Sequence, residues 1–193
     1  MKTIKAIAFD ADDTLWVNET FFRDAEDQFC ALLNDYLDYD DCQKCLFEME
    51  MRNLPLYGYG IKPFALSLVE AAIEITDGAV SIEIIQKLIN LGKEMLAAPV
   101  ELINGVEVVL KALSEKGYRL VVATKGDLLD QERKLAKSGL EKYFHHIEVM
   151  SDKQPANYQK LVSHLDIEAH EFLMVGNSLK SDILPVNSSL FFL

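Results

Sequence analysis

Ile4-Lys5-Ala6-Ile7-Ala8-Phe9 runs straight into Asp10-Ala11-Asp12-Asp13-Thr14-Leu15-Trp16, and this junction decides the fold. An apolar run of strand length suits a strand buried on both faces of a parallel sheet. Its abrupt acidic end puts polar chemistry where such sheets keep it, beyond the carboxyl ends of their strands. The same punctuation returns after Pro99. The spacing predicts a helix over 106–116 closed by Gly117, then a strand over 119–123 and a helix over 128–138. A strand over 146–150, a helix over 155–165 and a strand over 172–175 follow. Alternating strands and helices give an α/β class, a Rossmann-like parallel sheet covered on both faces.

Between these two parts the periodicity is helical. Phe21, Ala25, Phe29, Leu32, Leu33 and Tyr36 recur at helical spacing, and so do Phe64, Leu68, Ala71, Ala72 and Ile75, then Ile82, Ile85, Leu88, Ile89 and Leu96. With the segment around Leu46 and Met49 they predict four amphipathic helices, broken at 38–41, 55–62 and 77–81. No strand pattern interrupts them. The expected organisation is therefore an α/β domain of residues 1–14 and 101–193, with a helical bundle of residues 15–100 inserted after the first strand.

Composition sets the outer bounds. The chain has 193 residues, half of them apolar, with 31 acidic against 19 basic residues and a formal charge of −12. A chain of this size buries about 70 % of its unfolded surface. Its apolar content excludes a disordered solvating chain. The acidity argues against nucleic-acid polymers and anionic membranes, which select Lys and Arg clusters. That charge is unevenly spread. Residues 15–100 hold 15 acids and 6 bases, and the rest holds 16 acids and 13 bases. Outside Asp10, Asp12, Asp13 and Asp182, the α/β part is nearly neutral. Cys30, Cys42 and Cys45 suggest no disulfide framework and fit a reducing compartment. Without a signal-peptide core or a membrane-length apolar run, a soluble cytoplasmic protein is expected.

The strand ends gather the chemistry. After the first come Asp10, Asp12, Asp13 and Thr14, and after the second Thr124-Lys125-Gly126-Asp127. The third leads to Ser151-Asp152-Lys153 and the fourth to Gly176-Asn177-Ser178-Leu179-Lys180-Ser181-Asp182. Carboxylates crowded on one rim repel unless a hard cation neutralises them. Mg2+ takes one or two carboxylates together with phosphate oxygens. Repulsion also keeps one carboxyl more readily protonated, as a general acid requires. Each element alone has a blander reading. Acidic turns are common, Thr124 suits a helix cap, Lys153 suits a solvated surface, and Asn177 with Asp182 suits a helix start. Their joint occurrence, in order and each at a strand end, is what argues for a site.

Phe9-Asp10-Ala11-Asp12-Asp13-Thr14-Leu15-Trp16, Val122-Ala123-Thr124, Lys153 and Gly176-Asn177-Ser178-x-x-Ser181-Asp182 resemble the motif set of the haloacid dehalogenase superfamily of phosphohydrolases. The helical insertion sits where that family places a C1-type cap. The resemblance implies a phosphoric monoester hydrolase acting on a small phosphorylated metabolite. It implies Asp10 as the nucleophile and Asp12 as the acid, then base, of the two half-reactions. Thr124 and Lys153 would hold the phosphoryl oxygens, with Lys125 as the alternative lysine. Asp10, the Asp12 carbonyl and Asp182 would ligate Mg2+, with Asn177 helping directly or through water. Dehalogenase members lack the acid two residues after the nucleophile and use no magnesium, so Asp12 and Asp182 favour phosphate esters. None of Lys44, Lys62, Lys87 and Lys93 sits in the motif a phosphonatase needs.

Two features depart from the pattern. An acid is frequent in the family where Asn177 stands. Relatives also usually continue through a further strand, whereas here Pro185 to Leu193 reads as a stunted last strand or a truncated terminus, leaving the sheet's C-terminal end short. An apolar Phe191-Phe192-Leu193 end is compatible with a monomer or a homodimer. In the bundle, the glycine-punctuated loop Leu56 to Phe64 offers Tyr57 and Tyr59 as substrate contacts, or else as anchors of an ordinary interhelical turn. Trp16, Asn18 and Glu19 are expected to shape the pocket entrance or a hinge, and His145 and His146 to lie at an edge. Two other readings compete: a receiver-like phospho-acceptor using Asp152, and a catalytically impaired relative that only binds ligand.

Overall fold

Four parallel strands, β1 (Ala6–Phe9), β2 (Arg119–Lys125), β3 (His146–Met150) and β4 (Phe172–Val175), form one sheet in the order β3-β2-β1-β4. The structure is a computed structural model that describes residues 4–190. The terminal Phe191-Phe192-Leu193 edge expected from sequence lies outside the described residues. Between β1 and β2 come α1 (Glu19–Leu32), α2 (Tyr39–Tyr57), α3 (Ile61–Ile75), α4 (Ile82–Ala97) and α5 (Val106–Glu115). Then α6 (Leu128–Ser138), α7 (Pro155–His164) and α8 (Leu184–Leu190) complete the described chain. It divides into two units, one running to Asn18 and resuming at Val100, the other Glu19–Pro99.

In the α/β unit, β1 lies between β2 and β4, with Phe9 opposite both Val122 and Val175. Such a central strand has no solvent face, which is why it alternates nothing polar. Ile7 and Phe9 pack with Leu110 of α5 and Leu135 of α6 on one face. Ala6 and Ala8 pack with Tyr158 and Leu161 of α7 and Val186 of α8 on the other. Parallel pairing brings the carboxyl ends of all four strands to one rim.

The stretch after β4 departs from expectation. Residues 184–190 are helical, not a stunted strand, and a π-helical turn, Leu179–Ile183, leads into them. Pro185 has no N–H to offer the Ser181 carbonyl four residues back. The Tyr158 hydroxyl donates to that carbonyl instead, at 2.9 Å.

The helical unit has its own core, with Phe29, Leu33, Leu46, Leu68 and Leu88 fully buried. Asp38 caps α2 by accepting from Asp41 N, and Ser81 caps α4 by accepting from Ile84 N. The break expected at 55–62 is shorter. Pro55 lies inside α2, which stops at Gly58, where φ is 76° and a glycine is favoured. Among the described residues no helix is long and apolar enough to cross a membrane.

α3 and α4 pack tightly at Gly92, where an added Cβ would stand 2.6 Å from the Cβ of Ala65. Gly92→Ala should gain about 1 kcal/mol in helix propensity yet lose about 1–3 kcal/mol to overpacking. The overpacking is expected to win, because a backbone-borne carbon cannot swing away. Equilibrium urea unfolding should show a lowered midpoint, and lower still for Gly92→Val.

Candidate active site

At the end of β1 the chain remains tied to the sheet, with Asp10 N donating to the Val175 carbonyl at 2.8 Å. It then folds tightly back. Leu15 N donates to Ala11 O at 2.8 Å, Asp13 N donates to Trp16 O at 2.8 Å, and Asp13 takes a φ of 57°. An aspartate is among the few residues that accept that conformation readily. Buried Leu15 and Trp16 pin the turn into the core. Trp16, expected to shape the pocket entrance or a hinge, is buried and supports the turn.

Lys153 follows β3 and is only 3 % exposed. Its ammonium donates to Asp10 Oδ1 at 2.5 Å and to Asp182 Oδ1 at 2.6 Å. Asp182 is wholly buried, and its Oδ2 accepts from Ser178 N at 2.9 Å. The blander readings of these residues, a solvated lysine and an exposed acid, therefore fail. Gly176 makes room for the arrangement, since a Cβ there would stand 2.3 Å from Asp182 Cγ. Two buried carboxylates thus share one ammonium. Burial, with help from Asp182, outweighs Lys153 and pushes the Asp10 carboxyl up to about 6.

The remaining candidates surround this pair unequally. Thr124 is buried at the end of β2, its hydroxyl donating to the Lys125 carbonyl at 3.2 Å. The Lys125 ammonium donates to Ser181 Oγ at 3.3 Å and lies 3.9 Å from Asp152, and burial lowers its pKa. Asn177 is exposed after β4, and its side chain enters none of the bonds that tie the pair. Asp152 accepts from Lys153 N and from the Gln154 amide, so its carboxylate serves the turn. His146 pairs with Glu148 on β3, an edge strand. Tyr57 and Tyr59 belong to the helical unit, where the Tyr57 hydroxyl donates to Glu70 Oε1 at 2.9 Å and Tyr59 lies in the bend between α2 and α3.

Asp12 is held by Trp16 and by two residues that the sequence reading did not assign to the site. Its Oδ1 accepts from Trp16 Nε1 at 2.8 Å and from Lys134 Nζ at 2.9 Å, and its Oδ2 accepts from Gln131 Nε2 at 2.8 Å. The readable signal was there. Asp127 caps α6, so Gln131 and Lys134, three apart on that helix, fall on one face near the rim.

No group of three or more His, Cys, Asp or Glu side chains converges as a metal cage among the described residues. Asp10 and Asp182 nonetheless leave an excess negative charge in a buried site, and all their donor atoms are hard oxygens. That fits magnesium, which uses one or two carboxylates and fills its other positions with carbonyl, water or phosphate oxygens.

The model of a family described as haloacid dehalogenase-like hydrolase matches residues 4–187. A haloacid dehalogenase-like family hydrolase from Xanthomonas campestris superposes with a TM-score of 0.92 at 43% identity, covering 97% of this chain and 78% of that one. A glyceraldehyde 3-phosphate phosphatase from Pyrococcus abyssi is 33% identical over 87 residues. That match covers 42% of this chain and about a third (36%) of the relative's length. An L-2-haloacid dehalogenase from Xanthobacter autotrophicus shares the fold, with a TM-score of 0.67 at 16% identity over 98% of this chain and 76% of that one.

Lys153→Met leaves two carboxylates buried without their cation, a change that costs about 3–5 kcal/mol where a buried pair is broken. Urea unfolding at pH 7 should show that loss, and it should shrink as acid protonates the carboxylates. In the metal-free wild type the sign follows from Asp10, whose folded pKa of about 6 exceeds its ordinary value of 3.8. Its contribution is full below pH 4 and lost as pH rises through 6. Asp10→Asn should flatten that slope.

Proposed function

This chain belongs to the haloacid dehalogenase-like hydrolase family, and we propose that it is a magnesium-dependent phosphatase of small phosphorylated metabolites. The observation that supports this most is the convergence of Asp10 and Asp182 on one buried ammonium, with an acid, Asp12, two residues beyond Asp10. Asp10, the Asp12 carbonyl and Asp182 would hold the magnesium, with Asn177 in support. When bound, the ion neutralises phosphoryl charge.

In the first half-reaction an Asp10 oxygen attacks phosphorus and the bond to the leaving oxygen breaks. Asp12 gives that oxygen its proton, so an alcohol departs rather than an alkoxide. Asp10 then carries an acyl phosphate. In the second half-reaction Asp12, now a carboxylate, takes a proton from water as the water attacks phosphorus, and Asp10 is released with inorganic phosphate. Lys153 and Thr124 steady the phosphoryl oxygens through both displacements, and Lys125 adds a second positive charge. Burial suits these groups, since electrostatic contacts gain strength as water is excluded. Choice among esters is assigned to the helical unit, with Tyr57 and Tyr59 as its candidate contacts.

A carbon–halogen reading has no use for an acid at position 12. A receiver-like reading needs a free carboxylate at Asp152, which is bonded to Lys153 N and Gln154. Hydrolysis of an aryl phosphate should therefore require magnesium and stop on chelation. Asp10→Asn should abolish it, and Asp12→Asn should lower kcat by about 10²–10⁴ for poor leaving groups. Turnover of a 2-haloacid without any phosphate release would contradict the reading, as would full activity in Asp10→Asn.

A further inference from the structure

On the phosphatase reading, we propose that Lys134 and Gln131 are positioning residues that fix which oxygen of Asp12 carries the catalytic proton. A carboxylate offers about four lone-pair directions over its two oxygens. Here Oδ1 accepts twice, from Trp16 Nε1 and Lys134 Nζ, while Oδ2 accepts once, from Gln131 Nε2. The remaining direction belongs to Oδ2. That oxygen delivers the proton to the leaving group and later receives one from water.

The three donors are themselves immobilised. Trp16 is 1 % exposed and Gln131 is 3 % exposed. The Lys134 ammonium is also held by Asn18 Oδ1 at 2.8 Å and lies 3.8 Å from Asp130 Oδ2. Gln131 Nε2 donates to the Lys125 carbonyl at 3.0 Å as well as to Asp12. Two acceptors on one side fix the amide's orientation, and its Oε1 is buried with no hydrogen-bond partner. A buried amide oxygen without a partner costs stability. Turning the amide would set Oε1 against two acceptors, so its NH2 group stays on Asp12 and the β2 strand end. The chain thereby gives up some stability to hold one carboxylate in one orientation, as preorganised sites do.

The role separates from a merely structural one by leaving group. An aryl phosphate such as p-nitrophenyl phosphate departs without much protonation, whereas a primary alkyl phosphate needs the proton in the transition state. Lys134→Met should lower kcat/KM for the alkyl ester by about 10–100-fold, part of the range open to general acids. For the aryl ester kcat/KM should change by less than about threefold, because that ratio reports the first half-reaction alone, where the aryl group needs little protonation. Lys134→Arg, which keeps a cation, should recover most of the alkyl activity, and Gln131→Met should reproduce the split if Lys134→Met fails to fold. Equal losses of kcat/KM on both esters, or an alkyl-ester loss that lies wholly in a raised KM, would overturn the positioning role while leaving the phosphatase reading intact. A wild-type protein that cleaves neither ester overturns both.

Discussion

The Lys153 ammonium, placed between the buried carboxylates of Asp10 and Asp182, is the contact on which the rest of the rim depends. Two ionised carboxylates cannot be buried side by side unless a positive charge is buried with them. One lysine offsets only part of the charge, and burial, with help from Asp182, pushes the Asp10 carboxyl up in spite of it. On the proposed reading, that imbalance is what a divalent cation would offset, and the cation would in turn receive the phosphate. Stability and chemistry are in this sense opposed at one point of the fold.

The surrounding structure is arranged to keep that point fixed. Asp10 extends a central strand and so inherits its rigidity through the bond to Val175. Asp182 sits in a π-helical turn, a rare geometry that recurs at functional sites. The turn is braced from below by Tyr158, which supplies the donor that Pro185 lacks. Burial, seconded by Asp182 and Asp10, pushes the Tyr158 hydroxyl well above its ordinary pKa, so it stays a donor. Gly176 is small for the reason that Asp182 is buried against it.

Much of this was legible in the residues. The uninterrupted apolar run before Asp10 gave away a central parallel strand, and the order of polar residues at the strand ends picked out Asp10, Thr124, Lys153 and Asp182. What was hidden had a physical reason. Asp12 meets Gln131 and Lys134 across 119 and 122 residues of sequence, a proximity that only β1–β2 pairing creates. The helix after residue 184 was masked by Pro185, whose local preference argues against continuing a helix until a tertiary contact satisfies the carbonyl it strands. Trp16 looked like a linker residue because nothing in its neighbours records that the chain turns back there.

If Asp10 forms a covalent bond to phosphorus, as proposed, that bond can be trapped. Enzyme mixed with a phosphate ester and magnesium, quenched in acid within one turnover and reduced with borohydride, should carry homoserine at position 10 when its peptides are weighed. Turnover that continues while residue 10 stays aspartate, or reduction at a different aspartate such as Asp152, would contradict the account.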